Sequence, residues 1–141
     1  MDKLKFPEEY IVRGERILHS GQSTSVFYDV NALLTERTYL DYILHRIPCS
    51  EHYVGIATGG ALIALAAFQK NPTSKFSMIK DGELKGALPL DEWILVDDVV
   101  TTGNSLTEAI KIIGEVPSKI IVAVDRRTEN KNPEVKPIFE I

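Results

Sequence analysis

The chain has 141 residues, 44% hydrophobic and 26% charged, with a net charge of −4, a balance that fits one globular domain and gives no basic footprint for nucleic acid. Cys49 is the only cysteine, which excludes an intrachain disulfide and a multi-cysteine zinc site and fits a reducing compartment such as the cytoplasm. The longest unbroken apolar run, residues 61–68, is far short of the roughly 20 residues that cross a bilayer, and residues 1–7 lack the apolar core of a signal peptide.

Residues 7–16 predict a short helix opened by Pro7, which suits a first helical position. His19, Ser20 and Gly21 begin a turn-rich stretch. Val26, Phe27, Tyr28, Asp29 and Val30 follow with strand composition, so a hairpin around Gly21 is expected. Residues 33–47 predict one helix capped by Thr35, with Tyr39, Leu40, Ile43, Leu44 and Ile47 on its apolar face, and Pro48 ends it.

Residues 53–57 predict a strand. Thr58, Gly59 and Gly60 then lead into the apolar helix 61–68. Paired glycines at a strand-to-helix junction let backbone approach a ligand, and free N–H groups at a helix start can hold an anion. A plain turn between strand and helix is the alternative. Residues 75–79 predict a short strand. Residues 80–86, Lys-Asp-Gly-Glu-Leu-Lys-Gly, are polar and glycine-punctuated, the composition of a mobile connecting loop.

The most informative stretch is 93–110. Trp93, Ile94, Leu95 and Val96 predict a buried strand, followed by the adjacent carboxylates Asp97 and Asp98. Thr101, Thr102, Gly103, Asn104 and Ser105 come next, and Leu106, Ala109, Ile110 and Ile113 mark one face of a helix. Hydroxyl donors, a glycine and a helix N-terminus make a phosphate cradle. The carboxylates would repel phosphate, so they are left to accept hydrogen bonds from sugar hydroxyls or to approach Mg²⁺. Residues 119–124 predict a strand ending in Asp125, Arg126 and Arg127. A polar turn, 128–134, precedes a last strand at 135–141, broken by Pro137.

Strands alternating with helices after residue 33 predict an α/β fold, a mostly parallel sheet with helices on both faces. Residues 1–32 would form a small β-containing hood on a core of 33–141, within one domain. The segments 57–60, 97–105 and 125–126 each follow a strand end, where such sheets bind ligands, so they can share one cleft.

The run Leu95-Val96-Asp97-Asp98-Val99-Val100-Thr101-Thr102-Gly103 resembles the phosphoribosyl-pyrophosphate (PRPP) binding motif of the type I phosphoribosyltransferases. Ser20-Gly21, the aromatic pair Phe27-Tyr28 with Asp29, and Asp125-Arg126 are similar to segments of the orotate phosphoribosyltransferases. That resemblance implies transfer of a phosphoribosyl group from PRPP to orotate by a homodimer. Thr101, Thr102, Gly103, Asn104 and Ser105 would hold the 5′-phosphate, and Asp97 and Asp98 the ribose hydroxyls. Thr58, Gly59 and Gly60 would hold pyrophosphate with Mg²⁺, which is bound mainly through the substrate, and Lys80 and Lys85 would close over it. His19, Phe27, Tyr28 and Arg126 would hold the base. The chain departs from the family pattern in three places. His19 stands where a lysine is usual, residues 57–60 contain no lysine, and 80–86 is short and lacks the usual arginine and histidine. A transferase for another base, such as a purine or uracil, and a PRPP-binding regulator without catalysis stay open on the residues alone.

Overall fold

The structure, a computed structural model, describes residues 3–17 and 23–141. An antiparallel ribbon of β1 (Ile11–Ile17) and β2 (Ser23–Tyr28) stands apart from the main sheet. Helices α1 (Val30–Leu33) and α2 (Arg37–His45) follow, then β3 (His52–Ile56), α3 (Gly59–Lys70), β4 (Lys75–Lys80) and β5 (Glu83–Gly86). The chain continues through β6 (Ile94–Val100), α4 (Asn104–Ile113), β7 (Lys119–Asp125) and β8 (Lys136–Pro137). The main sheet has the order β5-β4-β3-β6-β7-β8, with β5 antiparallel to β4 and every other pairing parallel.

The central strands are apolar on both sides because both faces are covered. Tyr53, Ile94, Val96, Ile121 and Ala123 pack with Leu33, Ile43, Ile63, Ala64 and Ala67 of α1, α2 and α3. Their strand neighbours Val54, Leu95, Ile120 and Val122 pack with Leu106, Ala109 and Ile113 of α4. The ribbon is tied to the first of these cores. Phe6 meets Tyr28 edge-on at 5.2 Å and Phe139 at 5.4 Å, and the Asp29 N–H donates to the Tyr10 carbonyl at 2.9 Å. No helix among the described residues is long and apolar enough to cross a membrane.

Four expected elements take a different form. Residues 7–16 give only a 3-10 turn, Glu8–Tyr10, before β1, because β-branched Ile11 and Val12 pair with Tyr28 and Phe27. The helix expected over 33–47 is shorter, spanning Arg37–His45, and a separate short helix, α1, precedes it at Val30–Leu33. Asp29 caps α1 by accepting from the Ala32 N–H at 3.1 Å, and the Thr35 hydroxyl donates to the Ala32 carbonyl at 2.6 Å. Thr35 therefore closes α1 and does not cap α2, which begins after Glu36. Residues 80–86 are not a loop but the hairpin of β4 and β5. Asp81 (φ 50°) and Gly82 (φ 75°) form its two-residue turn, whose positive φ angles match the twist of the flanking strands. The last strand is short, with β8 holding only Lys136–Pro137, although Ile138 and Phe139 still donate to Val122 and Ala123 on β7.

Candidate active site

The carboxyl ends of β3, β4, β6 and β7 form one rim. The Ala57 N–H donates to the Ile79 carbonyl at 2.9 Å, and the Arg126 N–H donates to the Val100 carbonyl at 2.9 Å, so neighbouring strand ends stay in step. The segments 57–60, 97–105 and 125–126 are thus brought together, although β6 and β7 run further than expected, so residues 97–100 and 125 lie within the strands and not after them.

Gly103, in the left-handed region at φ 89°, turns the chain into α4. The Asn104 N–H donates to the Thr102 hydroxyl at 3.2 Å, and the Thr107 N–H donates to the Gly103 carbonyl at 3.0 Å. That leaves the N–H groups of Ser105 and Leu106 to a ligand, and both residues line a small cavity with Asp97, Thr101, Thr102, Gly103 and Asn104. Thr101, Thr102, Asn104 and Ser105 are exposed. The arrangement is an anion cradle at a helix N-terminus.

Both carboxylates lie within β6, and their surroundings differ. Asp97 is 6% exposed, and its Oδ1 accepts from the Asp98 N–H at 2.8 Å. Burial, reinforced by the negative charge of Asp98, pushes its carboxyl well above the usual range. Asp98 is half-buried; its Oδ1 accepts from the Val99 N–H at 2.7 Å, and its Oδ2 lies against Gly59. Asp97 is the enclosed member of the pair, and Asp98 turns its Oδ2 toward Gly59.

The glycines at the start of α3 are required by this packing. A Cβ on Gly60 would lie 2.5 Å from the Val96 carbonyl oxygen and 2.7 Å from the Asp97 Cα, and one on Gly59 would lie 2.6 Å from Asp98 Oδ2. Thr58 precedes α3, is exposed and makes no side-chain cap bond. Lys80 ends β4 beside this turn and is exposed. Lys85 is placed differently. It pairs across the hairpin with Met78, back from the rim, and its Nζ holds Glu83 at 2.7 Å.

On the hood side, Arg126 joins the core to β2. Its Nη1 donates to the Val26 carbonyl at 3.2 Å, and its guanidinium sits 5.3 Å from the Tyr28 ring centre. Successive strand residues point to opposite faces. Tyr28 packs on the core beside Phe6, so Phe27 is directed to the other side of the ribbon and the two rings do not form one surface. His19 lies outside the described residues.

An orotate phosphoribosyltransferase from Aeropyrum pernix is 31% identical over 136 residues, covering 82% of this chain and 72% of that protein. The chain belongs to the orotate phosphoribosyltransferase family. The enzyme of that name from Methanothermobacter thermautotrophicus is 31% identical over 133 residues, covering 84% and 74% of the two chains. The crystal structure of the Aeropyrum protein superposes with a TM-score of 0.69 at 28% identity, over 84% of this chain and 76% of that one. An adenine phosphoribosyltransferase from Leishmania donovani shares the fold at a TM-score of 0.62 and 15% identity, over 84% of this chain and 65% of that one. No family model matches the chain. The type I phosphoribosyltransferase fold expected from residues 95–103 is the fold observed.

Sequence reasoning passed over Arg127, the neighbour of Arg126. Arg127 is 5% exposed. Its Nε and Nη2 donate to the Asp125 carboxylate at 2.9 and 3.1 Å, and its Nη1 donates to the Pro133 carbonyl at 2.8 Å. A Cβ on Gly103 would stand 3.4 Å from that Nη1. Arg127 thus braces the cradle from behind. The available signal was Asp-x-Arg at a strand end, which permits this local fork.

Proposed function

We propose that the chain transfers the 5-phosphoribosyl group of PRPP to orotate, giving orotidine 5′-phosphate and pyrophosphate. The observation that carries this reading is the meeting of the 101–105 cradle, the open Asp98 oxygen and the Gly59–Gly60 turn on one rim. In the reaction, a base nitrogen bonds to C1 of the ribose as the C1–O bond breaks, and the electron pair leaves with pyrophosphate. The cradle fixes the 5′-phosphate. Asp98 accepts from ribose hydroxyls and stabilises the positive charge that builds on the ring. The Thr58–Gly60 backbone and Lys80 receive the leaving group.

Mg²⁺ fits this site as a companion of the substrate. Among the described residues no group of three or more His, Cys, Asp and Glu side chains is placed to hold a metal, and Asp97 is buried with its carboxyl pushed well above the usual range. Asp98 can contribute one oxygen, with PRPP oxygens and water as the remaining ligands, and the ion would offset charge on the leaving pyrophosphate. Two copies form the working unit in this proposal, since Leu62 and Leu65 on the outer side of α3 are 45% and 37% exposed. We place the protein in the cytoplasm, in keeping with its single thiol.

Arg126 and Tyr28 would define the base end. Arg126→Ala is expected to lower kcat/KM for orotate roughly 10- to 100-fold, the scale of a charge-assisted hydrogen bond. KM for PRPP should stay within about threefold, since the cradle is untouched. Steady-state kinetics with each substrate varied in turn check this, and equal losses for both would remove Arg126 from the base site.

One observation favours a second reading, a PRPP-binding regulator: Lys85 is engaged with Glu83 and stands back from the rim. The deciding experiment offers orotate, uracil and purine bases in turn to the protein with PRPP and Mg²⁺, following nucleotide and pyrophosphate. Orotate turnover is the expected result. Use of a purine alone would overturn the orotate assignment, and saturable PRPP binding without turnover would establish the regulator.

A further inference from the structure

We propose that Asn31 is an additional contact for the pyrophosphate end of PRPP, an inference that rests on the transferase reading above. Residues 57–60 contain no lysine, so donors beyond the backbone must come from neighbouring segments. Lys80 approaches from β4. On the α1 side the geometry supplies Asn31. A Cβ at Gly59 would lie 2.8 Å from Asn31 Oδ1 and 2.6 Å from Asp98 Oδ2, so amide and carboxylate converge over the same glycine. Three segments distant in sequence meet there: α1, the start of α3 and the end of β6.

Packing does not explain this placement. Asn31 is exposed, and among the described residues its amide makes no hydrogen bond. Its backbone is nonetheless held, because Val30 and Leu33 are 1% and 0% exposed and Asp29 caps the turn. The result is a polar side chain kept beside a glycine turn by buried neighbours.

The chemistry of an amide suits the position. Its NH₂ group carries two donors, and its oxygen and nitrogen exchange places by a flip about the terminal bond. One N–H can hold Asp98 Oδ2 while the other donates to a pyrophosphate oxygen on the Gly59–Gly60 backbone. A neutral donor there separates the Asp98 charge from the anion. A carboxylate in its place would add a second repelling charge.

The test measures calorimetric binding of PRPP, inorganic pyrophosphate and ribose 5-phosphate, each with Mg²⁺, to wild type, Asn31→Ala and Asn31→Asp. Pyrophosphate and PRPP are expected to bind about 5- to 10-fold more weakly to Asn31→Ala, and more weakly still to Asn31→Asp. Ribose 5-phosphate, which lacks the pyrophosphate group, should keep its affinity within about twofold. Unchanged pyrophosphate affinity in both variants, or equal weakening of all three ligands, would overturn the role. Failure of wild type to bind PRPP would instead remove the transferase reading, and this inference with it.

Discussion

Asp98→Asn is expected to lower kcat/KM for PRPP by roughly 10²- to 10³-fold, while Asp97→Asn stays within about tenfold of wild type. The two residues are adjacent and chemically identical, so the contrast comes from their surroundings. Asp97 is 6% exposed, and burial, with the charge beside it, pushes its carboxyl above the usual range and so favours the neutral form. An amide has nearly the shape of a neutral carboxyl, and its carbonyl can still accept the Asp98 N–H, now bonded at 2.8 Å. Asp98 keeps Oδ2 open toward Gly59, where a charge is needed against the developing cation. Steady-state kinetics on both variants, with unfolding midpoints as a control for folding, decide the point. Equal losses would mean that the pair acts as one unit.

The same environment gives a pH signature. The folded carboxyl of Asp97 lies above its ordinary value of 3.8, so above that pH the unfolded chain releases a proton that the folded chain retains. This group's contribution to stability is complete below pH 3.8 and is lost as pH rises toward the folded value. Asp97→Asn removes that loss and should gain on wild type across the interval.

The central stretch was legible because each part carries its own local rule. An apolar run makes a strand, glycine at positive φ turns the chain, and hydroxyls precede an amphipathic helix. The difference between Asp97 and Asp98 was not legible, because it comes from the burial of Asp97 against other segments, with Gly60 at its backbone, while Asp98 faces Gly59 and Asn31. Asn31 fell between the strand expected at 26–30 and the helix expected at 33–47, and only the short helix α1 places it at the rim. The misreading of 7–16 came from weighing Pro7 above the β-branched pair Ile11 and Val12, whose partners lie across the ribbon. Lys80 and Lys85 share one polar segment, yet the Asp81-Gly82 turn sends Lys85 back along the sheet edge. Spacing showed which residues lie near the carboxyl ends of strands, though Asp97, Asp98 and Asp125 fall within them. Side-chain partners came only from contacts between segments.

Arg127→Ala is expected to cost about 3–5 kcal/mol of folding stability, the largest loss foreseen for a single side chain here. The pair with Asp125 is enclosed, with side-chain exposures of 1% and 10%. Truncation would leave the Asp125 carboxylate without its fork and would free the Pro133 carbonyl, which now accepts Nη1 at 2.8 Å. Arg127→Lys should recover less than about half of the loss, because an ammonium cannot reproduce two parallel donors and a third to the turn. Acid unfolding supplies an independent check. Burial pushes the Asp125 carboxyl up, but the hydrogen bonds and charge of Arg127 outweigh it and hold the folded value below 3.8. This contribution is present above pH 3.8 and is lost as pH falls through the folded value, so Arg127→Ala should flatten the acid limb of stability. Urea unfolding at neutral and acid pH measures both effects. A neutral-pH loss below about 1 kcal/mol would show that water replaces the fork and that the cradle does not depend on it.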